Sequence, residues 1–480
     1  MDEYKLFTQR IGLIGIANLL MSLSGLILLP ILTKTLPIEE YGIWVQISVT
    51  ILLLRPLATL GLPYTLVRFL AAEKNREEIQ EGIYSISVLI LALSLILSVF
   101  LILIAEPFSS FLGGGKELVI ILALIIPIEC LNLVFRSIFR AFQQIKKYSL
   151  FMLAQTYGEV TLIAYALLTG YGIFGAVLSL LIVRLIFFIV LGLFTVKNTG
   201  IKLPRFYRIK EYLTFGLPTV PGEISGWIVR SSDRYVIGFF LGSAFVGYYS
   251  PGYTVGVVIN MFMAPLGFLL PAVLSKYYDE NNMKAVKMHL KYSLKYFLML
   301  AIPAVFGVSL LSKQLLMILT TPEIAAQGYL ITPFVAVSTL LLGAYSIISH
   351  IIILVKKTGI TGSIWIIAAI LNLGLNIVIV PYMGILGAAI TTLLAYTFAF
   401  IFTAYYSFKY LKFNIDFRFI LKSIFASIVM SSVIIKWSPV GISNILIEIG
   451  VCAVVYAVVL LLLRGIKKEE ITFFRRLFRL

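Results

Sequence analysis

Apolar residues run along this chain in blocks of about 20, the length of helix that crosses the hydrocarbon of a bilayer. Fourteen such blocks can be counted, at 11–33, 42–63, 83–105, 118–139, 149–170, 173–195, 212–240, 245–272, 292–312, 329–352, 360–380, 384–408, 417–437 and 442–463. Polar stretches of about 20 residues at most separate them. The pattern predicts an all-α membrane protein of fourteen transmembrane helices. One block differs from the rest. Residues 212 to 242 read YLTFGLPTVPGEISGWIVRSSDRYVIGFFLG, apolar enough to cross a bilayer, yet they hold Glu223, Arg230, Asp233 and Arg234. On a helix Glu223, Trp227, Arg230 and Arg234 recur at steps of 4, 3 and 4, so they share one face. A charge facing lipid is costly, and this face is expected to look into a water-filled or protein-lined interior.

The basic residues test the count. With a cytoplasmic N-terminus, thirty-one of the 39 Lys and Arg fall in segments on the inside. Lys34, Lys116, Lys313 and Lys436 fall outside, and Arg55, Arg184, Arg230 and Arg234 lie within spans. Such a bias fixes an even number of spans and both termini inside; a multi-pass protein of the cell membrane is expected. Composition agrees: 60% of residues are hydrophobic and 13% charged, against about 45–50% and about 25% for a soluble protein. A net charge of +17 would suggest nucleic acid in a soluble chain. Here the positive-inside rule accounts for it, and no nucleic-acid partner is expected.

Cys130 and Cys452 both lie in apolar spans, so neither a disulfide nor a metal site is expected from them. No cleavable signal peptide is expected, because the first apolar run is long and lacks a small-residue cleavage site. The inside segment 64–82 mixes both signs and predicts a short interfacial helix. The end of the chain, RGIKKEEITFFRRLFRL, is expected either to lie along the inner surface on anionic lipid or to act only as a topology signal.

Two short patterns recur. LPIEEYGIW (36–44) opens span 2 and LGSAFVGYY (241–249) opens span 8; YGIFGA (171–176) opens span 6 and MGILGA (383–388) opens span 12. The offsets, 205 and 212, are close. The chain therefore divides into an N-terminal lobe (1–200, spans 1–6), a C-terminal lobe (201–410, spans 7–12), spans 13–14 (411–465) and a basic amphipathic cytoplasmic tail (466–480). Two parallel six-helix copies are the build of transporters that hold substrate between their lobes.

Fourteen spans as six, six and two, the block SSDRYVIG (231–238) in a charged seventh span, and then LGSAFVGYY resemble the Wzx-type polysaccharide flippases. These belong to the superfamily that also holds lipid II flippases and the MATE drug antiporters. The resemblance implies export of an undecaprenyl- or dolichyl-pyrophosphate-linked oligosaccharide from the inner to the outer leaflet. It implies alternating access, and a hydrated cationic cavity lined largely by spans 1, 2, 7 and 8. Membrane lipids are expected partners, with a polysaccharide polymerase or glycosyltransferases as further ones. No cofactor is expected, and coupling would be to Na⁺ or H⁺. The two appended spans favour the lipid-linked sugar branches over MATE antiporters.

On that basis Arg55, Arg230 and Arg234 are candidates for pyrophosphate contact, since a guanidinium fork matches phosphate oxygens. The alternative for Arg230 and Arg234 is pairing within the bundle to Asp233 or Glu223, as a gate. Glu129, Glu159 and Arg184 lie in the first lobe; Glu129, Asn132 and Arg136 share a face, as do Gln155 and Glu159. These form either a structural network or, with Glu223 and Asp233, carboxylates for ion coupling or gating. Asn18 and Asn260 either meet sugar hydroxyls or, like Asn372 and Asn376, bond between helices. His350 is expected to cap the inner end of span 10 rather than relay protons, and Glu448 to reach the outer interface, the alternative being a lipid-tail groove. Pro218, Pro221, Pro265 and Pro271 are expected to bend spans 7 and 8. A drug antiporter would want a net acidic cavity, which the arginines oppose. A glycosyltransferase or polymerase would want a large catalytic loop, which the sequence lacks. GGGK at 113–116 lacks the P-loop spacing.

Overall fold

The computed structural model describes residues 2–71, 73–437 and 441–465. The basic tail expected at 466–480 lies outside the described residues. The described chain is all helical. Its elements are α1 (Asp2–Thr35), α2 (Ile38–Thr59), α3 (Leu62–Leu70), α4 (Arg76–Leu103), α5 (Ala105–Leu112), α6 (Lys116–Ala141), α7 (Ile145–Leu168) and α8 (Gly172–Thr199). There follow α9 (Ile209–Gly216), α10 (Val220–Leu241), α11 (Ser243–Gly256), α12 (Ala264–Asp279), α13 (Met283–Leu310), α14 (Ser312–Leu319) and α15 (Pro322–Gly328). The last four are α16 (Ile331–Leu354), α17 (Thr358–Tyr410), α18 (Phe417–Trp437) and α19 (Ile442–Leu462). Among the described residues, eleven helices are long and apolar enough to cross a membrane, or twelve if the bent α11–α12 pair is one span. The chain is a multi-pass membrane protein.

Of the four prolines expected to bend spans 7 and 8, Pro218, Pro221 and Pro265 lie at or beside helix breaks, where a missing N–H is tolerated, whereas Pro271 lies inside the continuous α12. A 3-10 turn, Leu217–Thr219, holds Pro218 and separates α9 from α10, and Pro221 sits in the first turn of α10. A second 3-10 stretch, Val257–Phe262, precedes α12, whose first turn holds Pro265; the two arms differ in direction by 53°. Gly384 has φ 60° and ψ −149° and divides the 53-residue α17 into two straight runs. Its counterpart in the six-residue repeat, Gly172, has φ 57° at the start of α8. A positive φ is cheap only for glycine, and both copies of Gly-Ile-x-Gly-Ala place their first glycine at such a position.

The helices gather into two units. One holds the described residues up to Ser250 together with Trp365–Thr391; the other holds Pro251–Ile364 and the described residues from Thr392 onward. In the first unit α2 and α6 are central: 61% and 67% of their apolar stretches are buried, against 22–28% for α1, α4, α7 and α8. Helix α6 packs on α4 and α8, α1 on α7, and α10 on α2. The segment predicted as an interfacial helix shortens to α3, whose Leu62, Leu66 and Leu70 are buried against α4, α6 and α9. Buried Glu81 on α4 accepts the backbone N–H of Arg205 at 2.9 Å and of Phe206 at 2.8 Å, pinning the segment between α8 and α9. In the second unit α13 packs on α16 and α18, with the Phe297 ring seated where Gly343 has no side chain. Tyr456 of α19 donates to the Met299 carbonyl (2.9 Å) and bonds the Ser423 hydroxyl (2.8 Å).

Candidate functional site

The first unit encloses a cavity of about 500 Å³, lined by α1, α2, α6, α7 and α8. Helical spacing explains which side chains reach it. On α2, Trp44, Ser48, Ile51 and Arg55 follow at steps of 4, 3 and 4; on α6, Glu129, Leu133, Arg136 and Arg140 do the same. Gln155 and Glu159 come from α7 and Arg184 from α8. Four guanidinium groups and two carboxylates therefore share one space.

Two of those guanidiniums are bonded to the acids. Arg136 lies 3.1 Å from Glu129 and donates to the Gln155 side-chain oxygen at 2.9 Å. Arg184 Nε lies 3.0 Å from Glu159 and 3.6 Å from Glu129. The Gln155 amide donates to Glu159 at 3.1 Å, and Asn132 donates to the Arg184 carbonyl at 2.9 Å. Side chains so enclosed (9–18% exposed) need such partners, because a buried charge left unpaired is expensive. The match is incomplete: Arg184 Nη1 is buried with no hydrogen-bond partner. Arg55 and Arg140 line the same cavity, and among the described residues neither has a carboxylate within 4.0 Å. The cavity thus carries two uncompensated positive charges.

The remaining sequence candidates lie elsewhere. Arg234 is buried and pairs with Asp233 at 2.6 Å, while also donating to the Arg230 carbonyl at 2.7 Å. The other Asp233 oxygen accepts from Tyr249 at 2.5 Å. This cluster lies where α10 meets α2: Trp227 donates to the Val49 carbonyl at 2.9 Å, and Thr50 bonds Tyr235 at 2.5 Å. The nine-residue repeat meets itself close by. A Cβ on Gly42 would overlap the Ser243 carbonyl, and one on Gly247 would overlap Ile38, so both motifs need glycine where their backbones touch. Arg230 and Glu223 are exposed, and the Arg230 guanidinium lies back over Gly226. Asn18 and Asn260 are exposed. Asn372 and Asn376 bond each other, and Asn376 accepts from Thr391. Glu448, expected at an interface, is fully buried and neither carboxyl oxygen has a partner.

Sequence reasoning placed Arg136 on the Glu129 face without carrying it into the substrate site, and counted Arg140 only as a charge of an inside segment. The signal was present: Arg136 lies seven residues and Arg140 eleven residues beyond Glu129, on the same helix face. Among the described residues no group of three or more His, Cys, Asp or Glu could hold a metal ion.

A second cavity, of about 490 Å³, lies within the second unit between α13, α18 and α19. Its walls are apolar, among them Pro303, Gly307, Met430, Ile434, Ala453 and Leu460, with the Tyr456 hydroxyl and the Cys452 thiol as polar groups.

A multi-pass helical protein with an arginine-rich cavity inside its bundle is built as a transporter is built. The chain belongs to the polysaccharide biosynthesis protein family, whose model matches residues 7–273. The resemblance drawn from the 231–249 block is thereby borne out. A protein of Haloferax volcanii described as a probable low-salt glycan biosynthesis flippase, Agl15, is 24% identical over 59% of this chain and 60% of its own length. The succinoglycan biosynthesis transport protein ExoT of Rhizobium meliloti is 26% identical over 60% of this chain and 58% of its own. The chain spans about 60% of the length of these curated relatives. In fold it is similar to the lipid II flippase MurJ in an inward closed conformation, with a TM-score of 0.73 and 20% identity over 96% of this chain and 99% of that one. It is also similar to an inward-facing MATE transporter of the MOP superfamily, with a TM-score of 0.66 and 18% identity over 81% and 94%.

Proposed function

We propose that this protein is a flippase, not an enzyme, that moves a polyprenyl-pyrophosphate-linked oligosaccharide from the cytoplasmic to the outer leaflet for cell-surface polysaccharide synthesis. The observation that carries this is the charge of the first-unit cavity, where four guanidiniums face two carboxylates and Arg55 and Arg140 have no acid partner. Such a space attracts an anion and repels a cationic drug. The curated relatives, named for glycan flipping and succinoglycan transport, support the same substrate class.

In this scheme the diphosphate sits on Arg55 and Arg140. Arg230, Asn18 and Asn260, all exposed, are free to meet phosphate or sugar hydroxyls. Arg234, held by Asp233, serves a gate. Coupling to Na⁺ or H⁺ would draw on Glu129, Glu159, Glu223 or Asp233. The prenyl chain stays in lipid, and the apolar second-unit cavity has the chemistry to hold such a chain. Fourteen crossings follow if α10 spans despite its charges and α17 spans twice about Gly384. They would be arranged as two six-span lobes, 1–200 and 201–410, with spans 13–14 at 411–465, both termini cytoplasmic, and alternating access as the transport cycle.

The test is translocation of a fluorescent polyprenyl-diphosphate oligosaccharide in proteoliposomes. Loss of each charged hydrogen bond costs about 1.5–3 kcal/mol, so the Arg55→Ala, Arg140→Ala double variant is expected to fall by at least about a hundredfold. Wild-type transport of cationic dyes is expected to be absent. A double variant that flips at the wild-type rate, correctly folded, sinks the proposal.

A further inference from the structure

Four guanidiniums in one cavity pose a difficulty for a transporter. A site must bind its cargo firmly enough to admit it and weakly enough to release it. A diphosphate diester carries one ionised oxygen on each phosphorus. Arg55 and Arg140 alone match that charge; with Arg136 and Arg184 also free, the cavity would hold it too tightly to turn over.

We infer that Glu129 and Glu159 are built-in counter-anions that occupy Arg136 and Arg184 in the empty cavity, compete with the diphosphate for them, and so set how readily it leaves. This rests on the flippase reading of the same cavity. Three observations carry it. Both carboxylates sit on guanidiniums at 3.0–3.6 Å, the place a phosphate oxygen would take. Arg184 Nε is shared between the two acids while its Nη1 is buried without a hydrogen-bond partner, so the acids leave part of this guanidinium's donor set unmatched. One Glu129 oxygen likewise lacks a hydrogen-bond partner, so the acid is held by charge more than by a closed network. A network built only for stability would be expected to satisfy its own donors and acceptors.

A structural role and a counter-anion role predict opposite signs. The experiment compares Glu129→Gln and Glu159→Gln with wild type, each checked for an unchanged melting temperature in detergent. Glutamine keeps the shape and an acceptor for the arginine while removing the charge. Binding is measured to a short-chain polyprenyl diphosphate linked to one sugar, and to the same sugar on an uncharged short-chain alcohol. Removing one like charge from a partly enclosed site is expected to tighten diphosphate binding roughly tenfold. It is expected to slow translocation and to leave the uncharged compound unaffected. Unchanged or weaker diphosphate binding in either folded variant overturns the inference, as does equal tightening for the uncharged compound. If Glu129→Gln does not fold, Glu159→Gln, at the less buried of the two acids, decides alone. Arg55→Ala serves as reference: if it binds like wild type, the flippase reading of the cavity fails, whereas loss in Arg55→Ala with loss in both glutamine variants removes only the counter-anion role.

Discussion

Two cavities of almost equal size, about 500 and about 490 Å³, lie in the two units and have opposite chemistry. The first sets four arginines, two glutamates and several hydroxyls among apolar side chains such as Leu28, Ile51 and Leu133. The second is lined by apolar side chains, with one tyrosine hydroxyl and one thiol. Each agrees with the helices around it. Helices α6, α7 and α8 place polar residues at steps of three and four and can turn one charged face inward. Helices α13, α18 and α19 pack through Ser423 and Tyr456, and the side chains they turn into this cavity are almost all apolar. Cavity volume therefore says little here; the lining separates a charged space from an apolar one.

Four experiments put that contrast at risk. The largest effect is expected from the Arg55→Ala, Arg140→Ala pair, which should abolish diphosphate binding while leaving apolar probes in the second cavity untouched; isothermal titration with both ligands checks it. Next comes filling the apolar cavity. Gly307 has open space where a Cβ would stand, and Gly307→Leu should displace about one isoprene unit, at roughly 0.8 kcal/mol for each methylene that loses its contact. Affinity for a long-chain lipid should fall tenfold or more, with a short-chain analogue unaffected. If both analogues weaken alike, the cavity does not take the chain.

Salt comes third. Raising ionic strength from about 0.01 to 0.1 M shortens the screening length from about 30 to 10 Å, so diphosphate binding should weaken by a few fold while binding of an uncharged isoprenoid should hold. Equal sensitivity would blur the contrast. The smallest change is expected from Tyr456→Phe, which removes the bonds to Ser423 and the Met299 carbonyl and should lower stability by about 1 kcal/mol. Thermal unfolding should register it while diphosphate affinity stays constant. A change in that affinity would mean the two cavities are not chemically independent.

Much of the fold was legible in the sequence. Apolar block length, the lopsided basic residues and the paired glycine motifs are local properties, and each reflects a local cost. Hydrocarbon thickness sets the block, and the turns at Gly172 and Gly384 need a residue that tolerates positive φ. The charges inside spans were equally visible, because a charge among apolar residues stands out wherever it is. Their partners were not. Arg140 read as a loop charge until α6 proved to run through Ala141 and set it, still exposed, among the side chains that line the cavity. Glu448 read as interfacial and is buried. Arg234 faces Asp233 and Tyr249, whereas Arg55, the other central candidate, lies with Glu129 and Arg184.

Taken alone, the amino-acid order specifies a many-spanned helical protein with two recurring glycine motifs and arginines that must be kept from lipid. Which arginines are cancelled and which stay free was decided only by tertiary structure. That depends on the rotation of each helix about its axis, and rotation is set by the sum of packing against every neighbouring helix rather than by any stretch of the chain itself.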